Sequence, residues 1–262
     1  LGSSLPPEVR RAALQAPHEE PAPLSPGVFP LAVRKVVIDP GHGGRNVGTL
    51  GPGGLVEKEL TLDVALRLEK LLASRGFTVE MTRRDDTQVS LEERAEMANR
   101  WRGDIFVSIH VNWLSGARDV RGVETYYLGP TDDPFLNELA AAENRGSGYS
   151  MADFRQIVER VYAGARLGES LRLASEVQRA LHGALLRISP DLRDRGVKTA
   201  PFAVLTGTEM PAILAEVSCL SNEEEARLLR LAEYRQYIAE ALAHGIRSYA
   251  LQSTASPTIT GS

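Results

Sequence analysis

Apolar positions change period several times along the chain, and each change marks an element. Val36 to Ile38 are continuously apolar, which predicts a strand over Lys35 to Asp39. Leu60, Val64, Leu68 and Leu71 then recur on one helical face, predicting a helix from Glu57 to Arg75 that Gly76 ends. Phe77, Val79 and Met81 alternate at period two, so a strand follows over Phe77 to Thr82. The same reading predicts a helix over Leu91 to Trp101 and strands over Asp104 to Ile109 and Gly122 to Leu128. A long irregular and helical stretch runs to about Arg187. Strands Phe202 to Leu205 and Ala212 to Val217 come next, and helices Glu223 to Leu231 and Tyr234 to Ala250 close the pattern. Strands alternating with helices predict an α/β fold.

The ends read differently. Residues 1 to 30 hold seven of the fifteen prolines and little periodicity, which predicts a Pro-rich linker with one short helical piece from Glu8 to Gln15. Residues 31 to 251 form the expected single domain, and 252 to 262 a flexible polar tail. Residues 130 to 168 exceed an ordinary connection, and excursions of that length inside compact domains are usually functional. Within them Phe154, Ile157, Val158, Val161 and Tyr162 make an apolar stripe suited to a helix on the core or to a partner.

Composition narrows the functional classes. A chain of 262 residues that is 43% hydrophobic can bury a substantial core in one domain. Net charge is -4 with a pI near 5.8, so no general basic field recruits nucleic acid. No apolar run approaches the ~18 residues of a spanning helix, and no transmembrane segment is expected. The chain opens at Leu1 rather than Met, so a targeting segment is expected upstream. Cys219 is the one cysteine; flanked by apolar residues, it reads as inert packing rather than as a nucleophile.

"VVIDPGHGG", Val36 to Gly44, looks at first like a phosphate cradle. The dinucleotide fingerprint needs a third glycine where Asn46 stands, however, and no Walker lysine follows. Alone, His42 would be a turn histidine. His110 similarly ends an apolar strand, and parallel strands would bring both imidazoles to the carboxyl edge of the sheet. Glu57 begins a helix after the Gly51 to Gly54 loop, where it either complements the helix dipole or swings back to that edge. Two histidines and a carboxylate match the three-ligand set of a catalytic zinc site. Glu216 sits near the end of the apolar "PAILAEV", where an unpaired carboxylate is costly to bury; a salt bridge to a nearby arginine is the other reading. Arg83, Arg94, Asp85 and Asp86 are expected to form a structural ion-pair network beneath the sheet edge.

Several separate blocks resemble one family. "IDPGHGG", "GGLVEKELTL", "TRRDDTQVSLEERAEMAN", "SIHVN" and "PAILAEVSCLSNEEEARLL", spread between Lys35 and Ala250, are similar to the zinc-dependent N-acetylmuramoyl-L-alanine amidases of the bacterial cell wall. The resemblance implies a single domain with a twisted, mostly parallel sheet of about six strands flanked by helices, plus a helical insertion. It implies His42, Glu57 and His110 as ligands of one Zn2+ per chain and Glu216 as the catalytic acid/base. Asp39 and Asn112 are expected to support the site, Asp39 by orienting the His42 imidazole and Asn112 by orienting a carbonyl or a ligand, with a turn hydrogen bond as the other reading of Asn112. "AAAENRGSG", Ala140 to Gly148, resembles the start of a blocking segment in division-associated members, which makes Glu143 the candidate autoinhibitory fourth ligand and an activator protein the candidate partner. The relatives' Thr-Gly-Phe after the glutamate is Val217, Ser218, Cys219 here, and Trp113 replaces a small residue.

The implied substrate is peptidoglycan, cut at the amide between N-acetylmuramic acid and L-alanine by a monomer outside the cytoplasmic membrane, periplasmic or extracellular. A non-catalytic wall-binding module and a zinc hydrolase of another amide are the competing classes.

Overall fold

The computed structural model describes residues 33–114, 118–145, 147 and 165–253. The expected linker over 1 to 30 with its helical piece, the Phe154 to Tyr162 stripe and tail residues 254 to 262 lie outside the described residues.

Among the described residues, six strands form one sheet: β1 (Lys35–Pro40), β2 (Thr78–Met81), β3 (Ile105–Asn112), β4 (Val123–Leu128), β5 (Asp194–Ala200) and β6 (Ala212–Cys219). Their order is β2-β1-β3-β6-β4-β5. The first four in that order run parallel, β4 is antiparallel to β6, and β5 runs parallel to β4. Among the described residues, seven α-helices surround the sheet: α1 (Glu57–Ser74), α2 (Leu91–Arg100), α3 (Pro134–Glu143), α4 (Ala165–Leu185), α5 (Ala203–Thr206), α6 (Glu223–Leu229) and α7 (Ala232–Ser253). The single α/β domain with a six-stranded, mostly parallel sheet is the architecture that the resemblance implied.

Strand alternation splits the core in two. Val36, Ile38, Ile105, Val107, Ile109, Ile213 and Ala215 pack on one side against apolar residues of α1, α4 and α7. Val37, Phe106, Tyr126, Leu128, Ala212 and Leu214 face the other side, against α2, α3 and α5. That second face is apolar over only half its length. The positions that continue its alternation are Asp39 on β1, His110 and Asn112 on β3, Glu216 on β6 and Glu124 on β4, all buried. Burying so many polar groups requires partners, and the partners define the site.

Two sequence expectations are corrected. Phe202 to Leu205 is not a strand: after Pro201, Ala203–Thr206 form the helical turn α5, with Phe202, Val204 and Leu205 buried in the second core layer. A four-residue apolar run carries no period that separates strand from helix. The strand instead lies upstream, in "DRGVKTA", β5. That segment lacks the alternation of a half-buried strand; pairing with the free edge of β4 makes it one. The third strand also outruns its expected end at Ile109, because pairing with β6 continues through His110↔Glu216 and, after an irregularity, Asn112↔Cys219. His110 therefore stands inside a strand.

Candidate metal centre

The loop after β1 presents His42 through an unusual backbone. His42 has φ 63, followed by Gly43 at 127 and Gly44 at 58. Left-handed conformations cost a β-substituted residue about 1 kcal/mol or more, and the strain is held here by two glycines and by Arg94. The Arg94 guanidinium donates to the backbone oxygens of Pro40 and His42 at 2.8 and 2.6 Å and to Asp39 Oδ1 at 2.6 Å. Asp39 also accepts from Thr82 and Ser108 hydroxyls. Burial alone would raise its carboxyl, but Arg94 and these two hydroxyls hold it below the usual range. Removing either partner of this buried pair would leave the other charge uncompensated, at a cost of about 3–5 kcal/mol.

Asp39 therefore does not orient the imidazole, as expected from sequence; it fixes the loop backbone through Arg94. The imidazole is set by Asn46, whose Oδ1 lies 3.1 Å from His42 Nδ1. With Nδ1–H donating there, the lone pair of Nε2 points inward. The expected network of Arg83, Arg94, Asp85 and Asp86 takes another form as well. Arg83 donates to the backbone oxygens of Pro40, Gly41, Lys58 and Asp85, Asp86 pairs with Lys58, and Asp85 accepts from Thr87. Carbonyls outnumber carboxylates beneath this edge because the turn exposes them inward.

Glu57 is the first residue of α1, and its side chain swings back across the helix start. Oε2 accepts from the Thr49 amide at 2.8 Å and Oε1 from the Val111 amide at 2.9 Å. Oε1 then lies 3.0 Å from His42 Nε2 and 3.3 Å from His110 Nδ1. Burial acts to raise this carboxyl, yet the two imidazoles hold it well below its ordinary value. Glycines make the close approach possible. A Cβ on Gly41 would stand 2.5 Å from His110 Nε2, and one on Gly48 would stand 2.6 Å from Glu57 Oε2 and from the His42 ring.

The donor set fits a metal ion. One ligand atom from each of His42, Glu57 and His110 lies within 4.8 Å of the others, and all three residues are buried. His42 Nε2 and His110 Nδ1 are buried without a hydrogen-bond partner, although both crowd the same carboxylate oxygen. Lone pairs that converge without satisfying one another are what a cation resolves, and ligands of a tetrahedral zinc ion stand ~3.3 Å apart. Glu143, at the end of α3, brings a fourth oxygen: its Oε2 lies 3.2 Å from His110 Nδ1 and 3.6 Å from His42 Nε2. Burial tends to lower the His110 imidazole, but Glu143 and Glu57 raise it well above its usual value.

Helix α3 is fixed at both ends. Asp133 caps its start by accepting from the Phe135 amide, and Leu136, Leu139 and Ala140 pack in the second core layer. Asn144 ties its end to α5, donating to Pro201 O at 2.8 Å and accepting from the Ala203 amide at 2.7 Å.

Glu216 stands beside His110 on β6, in register with it. Its Oε2 is buried without a hydrogen-bond partner, so it is not the salt-bridged carboxylate of the alternative reading. Burial pushes this carboxyl well above the usual range; His110 opposes the shift, and Glu57, Glu143 and Glu124 reinforce it. Asn112 donates to Glu124 Oε1 at 2.5 Å, a partner that the sequence reading missed. Cys219 is buried, and burial pushes its thiol up to about 11, far from a thiolate nucleophile at neutral pH. Trp113 is exposed at 42%.

Asn46, Asn144 and Glu124 are the site-supporting residues that sequence reasoning did not single out. Asn46 carried a local signal, four residues after His42 in the same loop; Glu124 carried none, because its partner arrives from another strand.

Similarity to known proteins agrees with this geometry. A family model described as N-acetylmuramoyl-L-alanine amidase matches residues 36–248. The chain is 34% identical over 228 residues to the uncharacterised protein YqiI of Bacillus subtilis, covering 87% of this chain and 90% of that one. It is 32% identical over 227 residues to the N-acetylmuramoyl-L-alanine amidase AmiA of Escherichia coli, covering 82% and 76%. The crystal structure of an N-acetylmuramoyl-L-alanine amidase from Clostridium difficile 630 superposes with a TM-score of 0.66 at 30% identity, covering 86% of this chain and all of that one.

Proposed function

The chain belongs to the N-acetylmuramoyl-L-alanine amidase family, and from that premise we propose that it is a zinc-dependent hydrolase of the amide joining N-acetylmuramic acid to L-alanine in peptidoglycan, acting outside the cytoplasmic membrane in wall remodelling or daughter-cell separation. The observation that carries this reading is the convergence of His42 Nε2, His110 Nδ1 and the Glu57 carboxylate beside an unpaired buried glutamate. His42, Glu57 and His110 would hold the ion. When bound, zinc supplies polarisation of the amide carbonyl and a water acidic enough to ionise near neutral pH. Glu216 takes the water's proton at its unpaired Oε2 and returns it to the leaving nitrogen; a carboxyl raised by burial is suited to both steps near neutral pH.

Product analysis tests the reaction. Digestion of purified peptidoglycan, followed by mass spectrometry, should release intact stem peptides with a free L-alanine amine, and chelation should abolish the release until zinc is restored. Cleavage of another amide, or binding to the wall without products, would reject the proposal in favour of a different hydrolase or a binding module.

The resting enzyme is proposed to be blocked. Glu143 supports this: with its Oε2 3.2 Å from His110 Nδ1 and 3.6 Å from His42 Nε2, it would complete the ligand set and exclude water. Residues 130 to 168 would then be a regulatory insertion, and a partner protein that draws α3 away would be the activator. Glu143→Ala should raise turnover by about tenfold or more, since a minor open state is typically populated at only about 0.1–10%. Unchanged turnover, both in this variant and in a chain shortened between Pro130 and Gly168, would remove the blocking role.

A further inference from the structure

We propose that Glu124 is a positioning residue that sets the amide of Asn112, so that the Asn112 carbonyl oxygen receives the N–H of the scissile amide and presents its nitrogen to Glu216. The inference rests on the amidase reading and extends it to a residue on the neighbouring strand.

The arrangement is read from the polar half of the second sheet face. On β3, His110 and Asn112 alternate with Ile109 and Val111, which face the opposite core layer. Across the sheet, Glu216 is the register partner of His110 on one side and of Glu124 on the other. The three strands β3, β6 and β4 thus carry His110, Glu216 and Glu124 side by side on one face. Asn112 spans this row, donating from Nδ2 to Glu124 Oε1 at 2.5 Å. The other carboxylate oxygen, Oε2, accepts from Lys198 Nζ at 2.6 Å and lies 3.2 Å from Arg195 Nε, both on β5. Glu124 is fully buried and every contact uses it as an acceptor.

This chemistry decides which end of Asn112 faces Glu124. A carboxylate without a proton can only accept, so the amide nitrogen must turn toward Glu124 and the amide oxygen away. That oxygen, Asn112 Oδ1, is buried and has no hydrogen-bond partner, as is Glu216 Oε2 on the adjacent strand. Buried unsatisfied acceptors are rare in folded proteins because each gives up its hydration with nothing in return. An acceptor held in place by a charge-assisted bond, on the strand beside that of the proton carrier, is suited to an N–H donor brought by the substrate. An amide substrate carries one such donor on the nitrogen that must leave. Holding it fixes the rotation of the departing amine relative to the Glu216 proton, an orientation that matters most as the C–N bond breaks.

A reciprocal exchange tests the idea. In Glu124→Gln, the new amide can accept from Lys198 and donate to Asn112, which turns Asn112 over and points its NH2 group into the site. In Asn112→Asp, two carboxylates face each other. The double variant Asn112→Asp with Glu124→Gln reverses the bond, restores an acceptor in the site and leaves the net charge of the pair unchanged. Each intact chain, loaded with zinc, is assayed on soluble peptidoglycan fragments for kcat and KM, with melting temperature and bound metal measured alongside. Glu124→Gln should lose about tenfold or more in kcat, the worth of one hydrogen bond to the reacting group, with KM, metal content and melting temperature little changed. The double variant should recover most of that loss. A Glu124→Gln enzyme as active as wild type, or a double variant no better than the worse single variant, would overturn the inference while leaving the amidase reading intact. A wild type that hydrolyses no wall amide would overturn both.

Discussion

Glu216→Gln should lower hydrolysis of purified cell wall by about 10²–10⁴-fold, the usual contribution of a positioned acid/base group, while leaving bound metal unchanged. The separation of the two readouts follows from where the residue sits. Glu216 is buried next to His110 in the sheet, but its own Oε2 has no partner and it is not among the atoms that converge between His42, Glu57 and His110. Glutamine keeps the shape and the packing against β3 and β4 and removes the capacity to take up and release a proton. Burial holds the wild-type carboxyl well above its ordinary range, so substitution also relieves the cost of burying a further negative group near Glu57, Glu143 and Glu124. The variant is therefore expected to melt no lower than wild type. Full hydrolysis of cell wall by Glu216→Gln would reject the assigned role whatever its stability.

His42→Ala should behave differently, losing metal and activity together. Its Nε2 is one of three converging ligand atoms, and two ligands do not hold zinc at the concentrations that three do. Asn46→Ala gives the graded version of the same experiment. Without its oxygen, the imidazole loses the partner that fixes the inward lone pair, and metal affinity should fall by about 10–100-fold, with activity restored by added zinc. Equilibrium dialysis against a competing chelator measures both. An Asn46→Ala protein that binds zinc like wild type would show that the loop backbone alone, held by Arg94, sets the ring.

The elements that position these residues were legible from the chain to different degrees. Helix α1 was recoverable from its strong local period, and strands β1 and β3 from continuous apolar runs, because interior strands are buried on both faces of the sheet. Strand β5 was not, because an edge strand of polar residues takes its conformation from its neighbour β4. The apolar run Phe202 to Leu205 was misread for the opposite reason: it is buried, but too short for a period to show. Within the site, the glycine-rich turn and the two strand-end histidines stood out as residue types in a context. The supporting contacts did not.

By itself, the sequence determined the α/β alternation, the turn that carries His42, the placement of Glu57 at a helix start and the presence of a glutamate in an otherwise apolar strand. Those are local properties, set by the periods and by backbone freedom at glycine. Tertiary structure alone decided that Asp39 serves the loop backbone rather than the imidazole, that Glu143 reaches the histidines, and that Glu124 meets Asn112 across β6. Each of these pairs joins residues whose neighbourhood is created by strand order and helix docking, and hydrogen-bond partners at ~3 Å are chosen only after the sheet has placed them.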